Sequence, residues 1–179
     1  WLPNLAFGYG YPIFQYYPPL PHYVAALLMQ TGLTPIAALL GTFVAASVLG
    51  ALGMHLWARD VVGERWAPLA AAAYAFAPYA LFNMGERMAL AEYAALAWLT
   101  VALWSMRGCL VSARRRFVPI LAVACAGIVL SHNITAMLAM PLLVAYAGVA
   151  LLAKDAGKTG LLRAGAGLAL GLGLAAFFW

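Results

Sequence analysis

The chain has 179 residues, of which 66% are hydrophobic and only 8% are charged, and its mean hydropathy is +0.93. Soluble domains carry roughly 45–50% apolar and about 25% charged residues, so this composition excludes a water-soluble globular domain. It predicts an all-α membrane protein that crosses the bilayer several times. The net charge of +5 lies in short segments between apolar runs, so we expect no nucleic-acid partner. Cys109 and Cys125 lack metal-ligand spacing, and we expect neither a metal nor a cofactor.

The two ends of the sequence suggest that it belongs to a longer protein. It begins at Trp1 rather than at a methionine, and residues 177–179 lie inside an apolar run. We therefore expect residues 1–179 to form a single transmembrane domain whose last crossing is truncated.

The opening segment, residues 1–21, contains five prolines, two glycines and no charged residue. Proline lacks a backbone N–H and resists the interior of a helix, so we expect an ordered loop here. Residues 22–31 follow as a short apolar helix. At about 1.5 Å per residue this helix is too short to cross a hydrocarbon core about 30 Å thick, and we expect it to lie at the membrane interface.

Residues 35–179 predict about six membrane crossings. We expect Pro78 to kink the second of them. The third is expected to begin near Met84, because Asn83 and Glu86 have the spacing of a helix capping box. The six apolar runs cover residues 35–57, 67–82, 84–106, 117–130, 134–153 and 161–179.

Nine of the ten Lys and Arg residues fall within segments 57–66, 107–117 and 154–163. Cytoplasmic loops of membrane proteins are enriched in Lys and Arg, so these three segments are predicted to be cytoplasmic. The opening loop and segments 83–87 and 131–133 then share the extracytoplasmic face. Because the unusual polar residues gather in those segments, we expect a functional site at that face.

Arg87 and Glu92 are candidate site residues. If their helix begins near Met84, Glu92 lies about 12 Å along the helix axis. An ionised side chain at such a depth is costly and usually faces protein or a water-filled cavity. The two side chains are separated by about 140° around the helix, so we expect them not to pair with each other. Arg87 suits a phosphate because its guanidinium is a charged, planar fork of donors.

His132 and Asn133 follow an apolar run of about 14 residues, which is short enough to leave them in a recessed cavity. Two interpretations stay open for them. They bind a polar ligand, or they cap the helix that begins at Ile134, for which Asn is a favoured N-cap residue.

Gln15, Tyr16 and Tyr17 lie in an opening segment rich in aromatic residues, with eight of the chain's 23 aromatic residues in its first 23 positions. Three interpretations are open for this enrichment. Tyr and Trp favour the membrane interface, aromatic faces stack on sugars, and aromatic residues beside prolines pack a loop against its neighbours.

Three strings carry a resemblance to a known family. The strings GYGYPIFQYYPPLPHYVAALL, GERMALAEYAALAWL and LSHNITAML resemble bacterial integral membrane proteins catalogued as 6-pyruvoyl-tetrahydropterin synthase-related. That family is similar to the GT-C class of polyprenyl-phosphate-sugar-dependent glycosyltransferases. The resemblance covers most of the chain to about residue 145. No pterin chemistry is expected, because a soluble pterin synthase needs three zinc-binding histidines and the histidines of this chain are scattered.

The resemblance implies a GT-C-like helix bundle in the bacterial inner membrane, with an extracytoplasmic active site and a polyprenyl-phosphate-linked sugar as donor. In such enzymes a carboxylate of the first outer loop activates the acceptor hydroxyl. Residues 1–21 contain no Asp or Glu, so the catalytic carboxylate is expected upstream of Trp1.

The leading hypothesis is therefore a membrane glycosyltransferase-like protein that contacts membrane lipid. The alternatives are a transporter or flippase for a lipid-linked or polar solute, and a non-catalytic membrane scaffold. The predicted substrate-binding residues are Gln15, Tyr16, Tyr17, Arg87, Glu92, His132 and Asn133.

Overall fold

The computed structural model describes residues 4, 6–112 and 114–178, without the side chains of residues 6, 15 and 16. Over these residues the fold is helical and contains no strand, which confirms the all-α prediction. A 3₁₀ turn, Ala6–Gly8, precedes the α-helices. These are α1 (Ile13–Tyr16), α2 (Leu20–Met29), α3 (Pro35–Val62), α4 (Ala67–Ala75), α5 (Pro78–Gly85), α6 (Leu90–Val111), α7 (Phe117–Ser131), α8 (Asn133–Leu152) and α9 (Lys158–Leu174).

Three helices of the described part, α3, α6 and α8, are long and apolar enough to cross a membrane. The other apolar runs form shorter helices. Helix α7, for example, has 15 residues and a length of about 22 Å. Membrane association is therefore supported by three long helices, and six crossings stay a prediction.

Helix α3 presents one face to the bundle and the other to its surroundings. Thr34 caps its first turn by accepting a hydrogen bond from the Ala37 N–H at 3.3 Å, and Gly63, with φ +95°, follows its last residue. The exposed face carries large apolar side chains every four residues, which is the spacing of one helix face. An apolar stripe of this length suits lipid better than water. Its members are Ile36, Leu40, Val44, Val48 and Leu52.

Helix α6 occupies the centre of the bundle and packs against α3, α7, α8 and α9. Small residues allow the close approach of α3. The Thr100 hydroxyl donates to the Gly50 carbonyl oxygen at 3.0 Å, and a Cβ added at Gly53 would overlap Thr100 Oγ1 and lie 2.8 Å from the Val101 amide nitrogen. Close packing at small residues joined by interhelical hydrogen bonds is typical of membrane helices.

The apolar run 67–82 is divided into two helices. Helix α4 ends at Ala75, and α5 begins at Pro78, whose fixed φ and missing N–H suit a first helical turn. The predicted interruption at Pro78 is therefore confirmed.

The predicted helix start near Met84 is wrong. Helix α5 continues through Asn83 to Gly85, and Met88 then adopts a positive φ of 49° that reverses the chain. Helix α6 begins only at Leu90. The capping-box spacing was misleading because Asn83 is a buried residue inside the preceding helix rather than the cap of the next one.

Helix α2 begins at Leu20, two residues before the predicted start, with Pro21 in its first turn. It packs against α3 and also contacts α6 and α7. The short apolar helix after the opening segment is therefore held against the bundle.

The three basic segments meet at one end of the bundle. The Arg107 Nε donates to the Asp60 carbonyl oxygen at 3.1 Å, and the Arg163 Nη1 donates to the Ser112 carbonyl oxygen at 3.0 Å. These contacts join the first segment to the second and the second to the third. The opposite end contains the start of α6 and the end of α7, about 33 Å away along α6.

Candidate functional site

Four polar residues form a cluster where α5 ends and α6 begins. Tyr79 and Asn83 lie one turn apart on α5, and Arg87 follows four residues later in the reversing turn. Glu92 comes from the first turn of α6. We call Tyr79, Asn83, Arg87 and Glu92 the polar cluster.

The four side chains of the polar cluster form one hydrogen-bonded network. The Arg87 Nη1 lies 2.7 Å from Asn83 Oδ1, 3.2 Å from the Tyr79 hydroxyl and 3.2 Å from Glu92 Oε2. The other carboxylate oxygen, Glu92 Oε1, accepts from the Tyr79 hydroxyl and from Asn83 Nδ2 at 3.4 Å. Each carboxylate oxygen of Glu92 therefore has a defined partner.

The prediction that Arg87 and Glu92 do not pair is wrong. It assumed that both residues belong to one helix, whereas a chain reversal separates them and turns their side chains toward each other. The predicted depth of Glu92 is also wrong, because Glu92 lies in the first turn of α6. There its charge interacts favourably with the helix dipole.

Arg87 keeps one edge of its guanidinium open. Among the described residues, both side-chain hydrogen bonds of Arg87 are donated by Nη1, and Nε and Nη2 donate none. The hydrogen bond to Tyr79 and the charge of Glu92 raise the pKa of Arg87 above its ordinary value. The open edge therefore presents two N–H donors of a permanently charged fork, which is the geometry that binds phosphate or carboxylate.

His132 lies between α7 and α8 and caps α8. Its Nδ1 accepts a hydrogen bond from the Thr135 backbone N–H at 3.3 Å and lies 2.8 Å from Thr135 Oγ1. Of the two interpretations left open, capping is therefore confirmed for His132, whereas Asn133 is the first residue of α8 and not its cap. His132 interacts electrostatically with Glu92, so the end of α7 and the polar cluster lie at the same end of the bundle.

Asn133 is exposed and lies apart from the polar cluster. It lines a different cavity, on the side of the bundle where α7, α8 and α9 meet, together with Met137 and Leu172. The structure therefore brings together Arg87 and Glu92, with His132 near them, and leaves Asn133 out.

An apolar cavity of about 280 Å³ lies between α2, α3, α6 and the last residue of α7. Pro21 and Trp98 line it, and so does Ser131, whose Oγ is buried and has no hydrogen-bond partner among the described residues. Ser131 directly precedes His132. Ala94, also in the wall, lies two residues after Glu92. The apolar cavity and the polar cluster therefore lie toward the same end of α6.

Tyr17 belongs to a group of aromatic rings at the start of α2. Its ring centroid lies 5.4 Å from that of His22, and the Phe14 ring lies 6.2 Å from the same histidine. Burial lowers the pKa of His22. Tyr17 does not line the apolar cavity, and the side chains of Gln15 and Tyr16 lie outside the described residues.

Sequence reasoning missed Tyr79 and Asn83 as members of the site. The signal that finds them is their spacing, because Tyr79 and Asn83 lie one helical turn apart and Arg87 follows four residues later. This spacing was hidden by the expectation that a helix ends before Asn83 and another begins after it.

No protein-family model, no curated protein and no solved structure matches this chain. The resemblance to GT-C-related membrane proteins accordingly stays a prediction from sequence strings.

Proposed function

We propose that this protein is a GT-C-like integral membrane glycosyltransferase of the bacterial inner membrane. It transfers a sugar from a polyprenyl-phosphate donor at the extracytoplasmic face. In this proposal the polar cluster holds the donor phosphate and the apolar cavity receives the first part of its hydrocarbon chain.

The single observation that carries the proposal is that the open edge of Arg87 and an apolar cavity lie toward the same end of α6. A polyprenyl phosphate combines an anionic head with an apolar chain, so it needs both kinds of binding feature. The Nε and Nη2 donors of Arg87 suit two oxygens of a phosphate, whereas the cavity walls are almost entirely apolar. A soluble anionic substrate does not need such a cavity.

Glu92 acts in this proposal as a positioning residue. Its two carboxylate oxygens are occupied by Tyr79, Asn83 and Arg87, so it is poorly placed to take a proton from an acceptor hydroxyl. Its role is to hold Nη1 of Arg87 and thereby direct the open edge. The base that activates the acceptor is then a group other than Glu92.

The aromatic segment that contains Gln15, Tyr16 and Tyr17 is proposed to contact the sugar. Tyr17 is exposed and its ring is fixed against His22. An exposed ring of fixed orientation provides a flat apolar surface for the C–H face of a sugar. His132, which lies near Glu92, is proposed to line the same end of the site.

One observation favours transport as a second candidate function. The division between α4 and α5 at Phe76 and Ala77 creates a discontinuous helix inside an apolar run. Discontinuous helices contribute the substrate sites of many secondary transporters. A transporter moves the intact lipid-linked sugar across the bilayer, whereas a transferase releases polyprenyl phosphate, so the two activities differ in their products.

The test compares arginine variants of the protein in nanodiscs. The ligands are a polyprenyl phosphate and the corresponding uncharged polyprenol. Arg87→Ala removes the phosphate fork and is expected to weaken polyprenyl phosphate binding about tenfold or more, while binding of polyprenol stays unchanged. Arg87→Lys keeps the charge without the fork. Its affinity for polyprenyl phosphate is expected to lie between that of Arg87→Ala and that of the unaltered protein.

Arg65→Ala is the matched control, because Arg65 is exposed near the basic end of the bundle, where its side chain lies over the Trp66 ring. This variant loses the same charge and is expected to bind polyprenyl phosphate normally. Equal binding by Arg87→Ala and the unaltered protein would remove the phosphate site and the transferase proposal that depends on it.

A further inference from the structure

A further cavity, of about 360 Å³, lies at the basic end of the bundle. It is bounded by the last turns of α3 and α6 and by the segment that leads into α7. Four arginines contribute to its wall, and we call it the basic cavity. They are Arg59, Arg107, Arg114 and Arg116.

The positive charge of the basic cavity is only partly neutralised within the fold. Asp60 is the single acidic residue in the wall, and it pairs with Arg59 at 3.5 Å. Arg107 donates from Nε to the carbonyl oxygen of Asp60, a contact with a neutral group that leaves its charge uncompensated. Four guanidinium groups therefore face one carboxylate.

Two of these arginines have unused donors. Among the described residues, the guanidinium groups of Arg114 and Arg116 form no hydrogen bond or ion pair. Arg116 lies over the Phe117 ring with 5.2 Å between Cζ and the ring centroid, a contact that uses none of its N–H groups as hydrogen-bond donors to an oxygen. Like charges gathered without an anion repel one another, so the arrangement favours a bound anion.

One residue of the wall of the basic cavity also has an unmet neutral donor. Trp104 lines the cavity, and its Nε1 is buried with no acceptor among the described residues. Its ring is fixed edge-on against Phe117 at 5.3 Å and 85°. Phe117 packs there because Gly108 has no Cβ to fill the space. An indole N–H only donates, so this group and the arginines call for the same kind of partner.

We infer that the basic cavity is a binding site for a phosphate group. Phosphate oxygens accept hydrogen bonds from such donors, and one guanidinium can bind two phosphate oxygens at once. A volume of about 360 Å³ falls in the usual range for small-ligand sites, about 300–1,000 Å³. It has room for a phosphate together with the group that carries it.

Two sources supply this chemistry at a basic membrane surface. One is the headgroup of an anionic phospholipid, which basic pockets between transmembrane helices bind on the cytoplasmic side. The other is a free phosphate or phosphate ester in solution. The site lies at the opposite end of α6 from the polar cluster, so its occupation does not depend on the proposed transferase activity.

The test uses the protein in two kinds of nanodisc and measures its midpoint of thermal unfolding. Discs of phosphatidylcholine receive inorganic phosphate or sodium chloride at equal ionic strength, which separates a specific site from general screening. Discs that contain phosphatidylglycerol are compared with phosphatidylcholine alone. Stabilisation by inorganic phosphate identifies a free anion as a ligand, and stabilisation by phosphatidylglycerol alone identifies the lipid headgroup.

Arg116→Gln and Arg65→Gln form a matched pair of variants. Each arginine lies over the neighbouring aromatic ring, at 5.2 Å for Arg116 and 5.3 Å for Arg65, but only Arg116 lines the basic cavity. We expect Arg116→Gln to bind the stabilising ligand about tenfold more weakly and Arg65→Gln to bind it normally. Neither guanidinium makes a hydrogen bond in the described fold, so both variants are expected to fold.

Two outcomes would overturn the inference. One is the absence of stabilisation by both inorganic phosphate and phosphatidylglycerol. The other is an equal loss of binding in Arg116→Gln and Arg65→Gln, because that result would assign the effect to net surface charge rather than to the basic cavity.

Discussion

Arg87 and Glu92 form an ion pair, with 3.2 Å between Nη1 and Oε2, across a chain reversal centred on Met88. The side chain of Glu92 is 15% exposed and that of Arg87 is 42% exposed. The carboxylate is thus the inner member of the pair, and the arginine extends from it toward the outside. This polarity makes Glu92 the support and Arg87 the group that is available to a ligand.

We expect Glu92→Gln to reduce ligand binding without loss of fold. The neutral amide still accepts the hydrogen bond from Tyr79 but no longer holds the charge of Arg87. Because the pair is partly exposed, solvent already weakens it, and the Tm should change little. The KM for a polyprenyl-phosphate donor should rise severalfold with a smaller change in kcat. A large fall in kcat at unchanged KM would instead make Glu92 a catalytic group.

We expect His132→Asn and His132→Ala to separate capping from ligand binding. Asparagine is a good N-cap residue, whereas alanine removes the cap at a cost of about 0.5–2 kcal/mol. Only the alanine variant should therefore lower the free energy of unfolding. If His132 also contacts substrate, both variants lose activity to a similar degree. Full activity in the asparagine variant would limit His132 to its capping role.

We expect Gly53→Ala to destabilise the bundle. The added methyl group overlaps Thr100, and overpacking of this kind typically costs about 1–3 kcal/mol. Gly148→Ala is the control, because a Cβ at Gly148 in α8 meets no atom within 4 Å, and alanine is the better helix former there. In detergent, the free energy of unfolding of Gly53→Ala should be lower than that of Gly148→Ala. Equal values would contradict the close contact between α3 and α6.

We expect external thiol labelling to distinguish the two ends of the bundle. Cys109 and Cys125 are fully buried, so the native thiols give little background. A cysteine in place of the exposed Glu86 should react with an impermeant reagent in intact cells. A cysteine in place of Arg115 should react only after the membrane is opened. Efficient labelling at position 115 from outside would reverse the topology that the charge distribution predicts.

The sequence predicts the helical class and the grouping of basic segments well, because both depend on composition. Apolar runs free of charge favour helices in lipid, and the contacts of Arg107 and Arg163 place the basic segments at one end. The interruption at Pro78 could be predicted because the conformational restriction of proline is local.

The site was predicted only in part, since its geometry depends on where α6 begins. Polar residues beside long apolar runs are unusual, and this pattern pointed to Arg87, Glu92 and His132. The structure brings these three residues near one another. The ion pair and the roles of Tyr79 and Asn83 depend instead on the reversal at Met88. A positive φ at methionine has no sequence signal, so an error of six residues in one helix start changed every partner of Glu92.

The contact between Thr100 and the two glycines of α3 lies at the eleventh of the 22 residues of α6. It brings the two helices into close contact between the apolar cavity and the basic cavity. Because a helix is rigid over this length, a tilt of α6 about this contact would move its Glu92 end and its Arg107 end in opposite directions.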